Sequence, residues 1–389
     1  MKILSIETSC DETAVCLLEA TGDFDADFSY KVLGNALFSQ AHLHAQYGGV
    51  FPNLAKREHA KNLVPLLEEA LRQASALSAS AAQSLQGVPL ESLQASLARE
   101  PELLEKIIPF IESYQKPDID AIAVTYGPGL EPALWVGINF AKALSYVWNV
   151  PLVPVNHMEG HVMMSMVQNG AMRGFEFPVL SLLISGGHTE LILSREWMKY
   201  ERIGETRDDA AGEAFDKVAR LMELPYPGGP VISQLAAEAR LQGVPLELKF
   251  TPPMLNSKDY DFSFSGLKTE VRKVVEAAQP LTDDKKKEIA LAFENAVAHV
   301  LVHKTIKAVE EFDVHTVVVG GGVSANSFIR SELAAKLAQR DASASLLVPA
   351  PEFATDNALM IAIAGYFHAL RKDFAQPEAI SATGNLRLE

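Results

Sequence analysis

His157 and His161 stand four residues apart in Asn156-His157-Met158-Glu159-Gly160-His161. On a helix that spacing sets both imidazoles on one face. Two imidazoles so placed suit two ligand positions of one transition-metal ion. The pair follows the apolar run 151–155, so the spacing predicts a helix that opens at the end of a strand. A third ligand is needed. Asp356 in Ala354-Thr355-Asp356-Asn357 is a candidate, in a turn after a strand, although Thr355 and Asp356 equally fit helix N-caps. His299 and His303 repeat the spacing inside an amphipathic helical stretch and are assigned to structure. Glu159 lies two residues after His157, about 200° around a helix of 3.6 residues per turn, and so off the metal face. A zinc peptidase of the HExxH type needs its Glu directly after the first His, so peptidase chemistry is disfavoured.

Three small-residue turns follow predicted strands: Thr8-Ser9-Cys10-Asp11-Glu12-Thr13, Ser185-Gly186-Gly187-His188-Thr189, and Gly320-Gly321-Gly322-Val323-Ser324-Ala325-Asn326. Such turns expose backbone N–H groups that bind phosphate, and glycine lets a ligand approach the backbone. Together they favour a nucleotide in a cleft between two lobes. No P-loop or GxGxxG pattern is present. The stretch 208–217 combines four acids with a helical run. Asp208 or Asp209 could cap that helix, and Asp216, near one turn further on, could reach a ligand hydroxyl.

The elements that carry these residues read as alternating strands and helices, hence α/β with two lobes. Residues 2–7 and 14–20 flank the first turn as a strand–turn–strand unit, and 178–194 repeat it. That repeat suggests a duplicated fold. Further strands are expected at 31–38, 121–125, 314–319 and 346–348, and helices at 132–148, from about Asn326, and from about Thr355. Residues 73–117 are rich in Ala, Ser, Leu and Gln. Leu90, Leu93 and Leu97 have helical spacing, and Leu103, Leu104, Ile107, Ile108 and Ile111 form a second apolar face. This is a helical insertion, read either as a docking surface or as decoration packed on its own lobe. The domains expected are 1–154, carrying the insertion and completed by a C-terminal helix over 357–389, and 155–356.

The chain has 389 residues, 34 Lys+Arg against 49 Asp+Glu, and a net charge of −15, which argues against coating nucleic acid by charge alone. Basic stretches are local: Lys56, Arg57 and Lys61, then Lys268, Arg272 and Lys273. At 48% hydrophobic the composition is that of a globular protein. The two cysteines, Cys10 and Cys16, make no disulfide framework, so a cytoplasmic setting is expected. Glu7, Asp11 and Glu12 interrupt the N-terminal apolar stretch, so no secretory signal is expected, and no segment reaches about 18 uninterrupted apolar residues, so no membrane span is expected.

Taken together these segments resemble the TsaD family of tRNA N6-adenosine threonylcarbamoyltransferases. The resemblance rests on ETSCDET at 7–13, YGPGL at 126–130, VNHMEGH at 155–161, LISGGHTEL at 183–191 and IGETRDDAAGEAFDKVARL at 203–221. It continues in PYPGGP at 225–230, DFSFSGLKTEV at 261–271, GGGVSANS at 320–327 and TDNALMIA at 355–362, and leaves out roughly 73–117. The chain departs from the pattern at Asn53, Lys56 and Ala354.

The resemblance implies an actin-like, sugar-kinase superfamily fold with two ribonuclease-H-like lobes around a nucleotide cleft. It implies transfer of a threonylcarbamoyl group from threonylcarbamoyl-adenylate to N6 of adenosine 37 in tRNAs that read codons beginning with A. The implied metal ligands are His157, His161 and Asp356, with iron as the expected ion and zinc as the alternative. The implied substrate contacts are Leu183, Ile184, Ser185, Gly186, Gly187, Asp216, Gly229 and Asn326. A TsaB-like paralogue and a TsaE-like ATPase are the implied partners. The general base is not identified by pattern, and Asp11, Glu12 and His188 are its candidates. A small-molecule kinase of the same superfamily and a non-catalytic nucleotide-binding scaffold are the rival readings. Both leave the two histidines and Asp356 unexplained.

Overall fold

The computed structural model describes residues 1–79, 90–340 and 344–389. The chain divides into two units. The first holds Met1–Leu43, Val50–Arg173 and Asp356–Arg387; the second holds His44–Gly49, Gly174–Thr355 and Leu388–Glu389.

The first unit is built on strands β1 (Lys2–Glu7), β2 (Glu12–Asp23), β3 (Ala26–Ser39), β4 (Ala121–Gly127), β5 (Leu152–Asn156), β6 (Val167–Gln168) and β7 (Ala171–Met172). They form one sheet in the order β5-β4-β1-β2-β3-β7-β6. β1 pairs antiparallel with β2 and β2 with β3, whereas β4 runs parallel to β1 and β5 parallel to β4. A single turn, α1 (Ala41–His44), precedes α2 (Pro52–Gln73), and α3 (Leu90–Ser96), α4 (Pro101–Ser113), α5 (Glu131–Trp148) and α6 (His157–Met166) follow. Residues of α2, α4 and α5 form one apolar core with β1 and β4.

The second unit carries β8 (Val179–Ile184), β9 (Thr189–Glu196), β10 (Lys199–Glu205), β11 (Thr316–Gly320) and β12 (Ser345–Leu347), in the order β10-β9-β8-β11-β12. Its pairing repeats that of the first sheet. β8, β9 and β10 are antiparallel neighbours, and β11 and β12 run parallel beside β8. Helices α7 (Ala211–Leu221), α8 (Gly228–Leu241), α9 (Ser265–Ala277), α10 (Asp283–Glu311) and α11 (Ser327–Arg340) cover it. The duplicated strand–turn–strand unit expected from the sequence is thus the first hairpin of each sheet. Finally α12 (Ala358–Arg371) returns to the first unit, where Ser5 Oγ donates to the Ala358 carbonyl at 2.7 Å.

Two expectations change. The boundary at 154 is too early: β5 ends at Asn156, and β6 and β7 extend the first sheet, so residues 155–173 belong to the first unit. His44–Gly49 instead goes with the second, where the Arg220 guanidinium donates to the Gly48 carbonyl. Of the insertion at 73–117, residues 80–89 lie outside the described residues. Of the remainder, α3 and α4 are helical and pack on their own unit, with Leu93, Leu97, Leu103, Ile107, Phe110 and Ile111 buried in the first core. Among the described residues no helix is long and apolar enough to cross a membrane.

Candidate metal centre and nucleotide cradle

The helix that carries the two histidines starts where β5 stops. Asn156 caps it, its side-chain oxygen accepting from Met158 N at 2.9 Å, while its Nδ2 donates to the Arg387 carbonyl at 3.1 Å. Every residue of α6 is buried. The His157 and His161 rings lie edge to face with centroids 4.8 Å apart. Asp356 comes from the turn before α12. Neither it nor Thr355 caps that helix: Asn357 does, accepting from Met360 N at 3.0 Å. Asp356 Oδ1 lies 3.3 Å from His157 Nε2 and 3.2 Å from His161 Nε2.

These three side chains fit a metal ion. Ligand atoms about 2.0–2.2 Å from a shared ion stand roughly 3–3.5 Å apart, and the Asp356 distances fall in that range. Two imidazoles and one carboxylate are a set that leaves coordination positions open. No other group of three or more His, Cys, Asp or Glu with such spacing occurs among the described residues. His299 and His303 both lie exposed on α10 with ring centroids 6.4 Å apart, which agrees with their structural assignment.

Burial opposes charge throughout this cluster, and pairing decides the outcome. On Asp356 burial is outweighed by His157 and His161, which hold its carboxyl well below the usual range. On His157 burial is outweighed by Asp356 and Glu7, which raise the imidazole well above its usual value. His161 is lowered, chiefly by burial. A metal and a proton therefore compete for His157. Glu159 points elsewhere, its Oε2 2.8 Å from His368 Nε2, as the helical angle requires.

Asp11 and His188, two of the candidates for the general base, fall on equivalent turns of the duplicated unit, and Glu12 opens the strand that follows the first turn. Asp11 and Glu12 follow β1, and His188 follows β8. Burial, then the Asp11 and Asp356 carboxylates, push Glu12 well above the usual carboxylate range. Its Oε1 accepts from Ser39 Oγ at 3.0 Å.

In the second unit, Leu183 and Ile184 are fully buried in β8, so only their backbone is available to a ligand. The Ser185 hydroxyl accepts from Gly187 N at 3.3 Å and His188 N at 3.0 Å, which holds the turn in shape. Gly321 is required by the fold: its φ is +85°, and a Cβ there would meet the Ile184 carbonyl oxygen at 2.5 Å. Gly186, Gly187 and Gly322 are the opposite case. A Cβ at any of them meets nothing within 4 Å, so the chain's own packing does not call for glycine there. Bare backbone at these positions suits close approach by a phosphate.

Asp216 Oδ1 accepts from Gly228 N at 2.7 Å and so ties α7 to the start of α8, beside Gly229. The Asn326 side chain is engaged on all sides: Nδ2 donates to Glu294 Oε1 and Ser233 Oγ, both at 2.7 Å, and Oδ1 accepts from Ile329 N at 3.0 Å. Asp208 does not cap α7. It accepts from Phe264 N at 2.8 Å and Ser265 N at 3.2 Å, and so caps α9. Sequence reasoning passed over Glu7, Thr125 and Glu294, all buried and polar. The signal at Glu7 was an acid closing an apolar strand. Of the basic stretches, Lys56 lies 3.5 Å from Glu100 and Lys61 3.4 Å from Glu58, so part of that charge is paired within the chain.

Among solved structures, full-length HypF in a phosphate- and nucleotide-bound form is similar over 95% of this chain and 56% of its own, at 12% identity and a TM-score of 0.52. HypF from T. kodakarensis is similar over 72% of this chain and 44% of its own, at 15% identity and a TM-score of 0.47. The chain thus spans about half the length of these HypF chains. Component A of (R)-2-hydroxyglutaryl-CoA dehydratase from Acidaminococcus fermentans is similar over 96% of this chain and all of its own, at 13% identity and a TM-score of 0.46. The first of these likenesses supports the fold alone, an α/β architecture with two sheets. A family model, TsaD: tRNA N6-adenosine threonylcarbamoyltransferase, matches residues 31–82 and 88–363. The match begins after the turn at 7–13 and, against expectation, takes in most of 73–117. With the model matched over most of its length, the chain belongs to the TsaD family, the tRNA N6-adenosine threonylcarbamoyltransferases.

Proposed function

We propose that this chain transfers the threonylcarbamoyl group from threonylcarbamoyl-adenylate to N6 of adenosine 37 in tRNAs that read codons beginning with A. The observation that carries the reading is the convergence of His157, His161 and Asp356 in a chain of this family. These residues hold one divalent metal, iron(II) in the first place and zinc(II) as the alternative. When bound, the metal supplies Lewis-acid polarisation of the carbamoyl carbonyl and a fixed point for the threonyl moiety.

The adenine N6 forms a bond to the carbamoyl carbon, the bond from that carbon to the phosphate oxygen breaks, AMP departs, and N6 gives up one proton. An exocyclic amine is a weak nucleophile, so the mixed anhydride supplies the driving force and the protein mainly positions. The backbone of 183–187 takes the phosphate, with Gly186 and Gly187 leaving it room. Gly229, Asp216 and the turn ending at Asn326 shape the nucleoside side. Asp11, Glu12 and His188 are the candidates to accept the N6 proton. The adenosine is splayed out of its loop, as base-specific RNA contacts usually require. With a net charge of −15, the chain relies on a TsaB-like paralogue and a TsaE-like ATPase to complete the tRNA-binding machinery, in the cytoplasm.

The test is a transfer assay with threonylcarbamoyl-adenylate and tRNA carrying an unmodified adenosine 37, with and without the paralogue, read by mass spectrometry of the digested tRNA. Product that disappears in Asp356→Ala supports the reading. Absence of product in both mixtures, despite measured adenylate binding, favours the scaffold instead.

A further inference from the structure

His157 is engaged at both ring nitrogens. Nε2 faces Asp356, and Nδ1 lies 3.1 Å from Glu7 Oε2. Glu7 closes β1 and is fully buried. Its oxygens are divided between three elements. Oε1 accepts from Ser9 N in the turn that leads to Asp11 and Glu12, while Oε2 accepts from Thr125 Oγ1 of β4 at 2.6 Å and faces His157 of α6. Its only ion-pair partner among the described residues is His157.

We propose that Glu7 is a positioning residue that selects Nε2 of His157 as the metal-ligating atom and ties that choice to the turn after β1. The inference rests on the metal reading given above. A neutral imidazole carries one N–H, and the group facing one nitrogen decides which nitrogen keeps its lone pair. An ionised carboxylate only accepts hydrogen bonds. Ser9 N–H and Thr125 O–H already treat Glu7 as an acceptor, so His157 Nδ1 is the donor and Nε2 is left for the metal. A buried carboxylate is costly unless something uses it. A merely space-filling role at the end of an apolar strand would be served more cheaply by Leu or Met.

Glu7→Gln separates the charge from the shape. A carboxamide offers one oxygen and one NH2 group. If the oxygen faces His157, the NH2 opposes Ser9 N–H, donor against donor. If the NH2 faces His157, it donates to Nδ1, and the ring proton moves to Nε2, where it blocks ligation. Either arrangement weakens metal binding.

The experiment measures the zinc(II) dissociation constant by competition with a chromophoric chelator. It compares the parent, Glu7→Gln, and Thr125→Val, which keeps the carboxylate. Alongside, 15N NMR of the His157 ring is recorded in the zinc-loaded parent. Expected are a roughly 10–100-fold weaker constant in Glu7→Gln, a much smaller change in Thr125→Val, and zinc on Nε2 with the proton on Nδ1. A folded Glu7→Gln protein with the parent's constant, or zinc on Nδ1, overturns the inference while leaving the metal reading intact. A parent that binds neither zinc(II) nor iron(II) overturns both. The NMR arm needs no variant, so a misfolded Glu7→Gln does not hide the answer.

Discussion

Asn357 caps α12, accepting from Met360 N at 3.0 Å, and by doing so leaves the carboxylate one residue before it to the two histidines. Adjacent residues of similar capping ability thus have separate tasks. Substituting each predicts opposite signatures. Asn357→Ala loses the cap and about 1 kcal/mol of stability. Asp356→Asn keeps the helix start but loses the charged ligand, so metal content falls while the cap contribution stays. Metal analysis and urea denaturation of both variants check this. Equal metal loss with equal destabilisation in the two would show that the tasks are not separate.

The glycines of the second unit divide in the same way. Gly321→Ala forces a Cβ to within 2.5 Å of the Ile184 carbonyl oxygen at a φ of +85°, so about 1–3 kcal/mol of stability is lost. Gly187→Ala meets no atom within 4 Å, so its melting temperature stays close to the parent's. Its added methyl lies where the phosphate is proposed to approach, so adenylate binding, read by calorimetry, weakens. Unchanged binding in Gly187→Ala would remove this turn from the nucleotide site.

Much of this arrangement was legible beforehand, and the reason is local. β1, β2, β8 and β9 are apolar runs broken by small polar turns, and the two hairpins look alike because they occupy the same place in two equivalent sheets. The i, i+4 histidines needed only a helix to share a face. What was not legible depends on partners distant in sequence. Asp208 caps α9 more than fifty residues ahead rather than the helix that follows it. Residues 155–173 join the first unit because β6 and β7 add to its sheet, through a pairing as short as Ser29 with Ala171. Glu7 looked like an interruption in an apolar stretch. Its use becomes visible only when Thr125 and His157 stand beside it.

His368 gives a pH signature away from the metal ligands. Its Nε2 lies 2.8 Å from the buried Glu159 and its Nδ1 3.0 Å from the more exposed Asp373. Burial lowers its pKa, but Glu159 and then Asp373 outweigh burial and raise it above 6.5. A group raised in the folded state contributes stability that is fully present below its unfolded value and fades as pH rises through the folded value. The parent's advantage over His368→Gln in urea denaturation should therefore be larger at pH 6 than at pH 9. An advantage that grows toward pH 9 would contradict the pairing with Glu159.

Asn326 is where the family pattern and the geometry assign different work. The pattern makes it a substrate contact, yet both its amide hydrogens and its oxygen are committed within the second unit. Its partner Glu294 is 1% exposed and holds Arg240 Nη1 at 2.5 Å with its other oxygen. Removing the side chain in Asn326→Ala strips the first turn of α11 of its cap and leaves a buried carboxylate oxygen short of a donor. These cost about 2–4 kcal/mol together. Asn326→Asp retains a good cap but sets a second carboxylate against Glu294, so its loss reports the Glu294 bond without the cap. Urea denaturation and adenylate binding per folded molecule distinguish the two roles. Large destabilisation with binding retained in the folded fraction makes Asn326 a positioning group that holds the 320–325 backbone. Parent-like stability with binding lost would return it to direct contact with the substrate, because Glu294 would then have to release the amide when the nucleotide arrives.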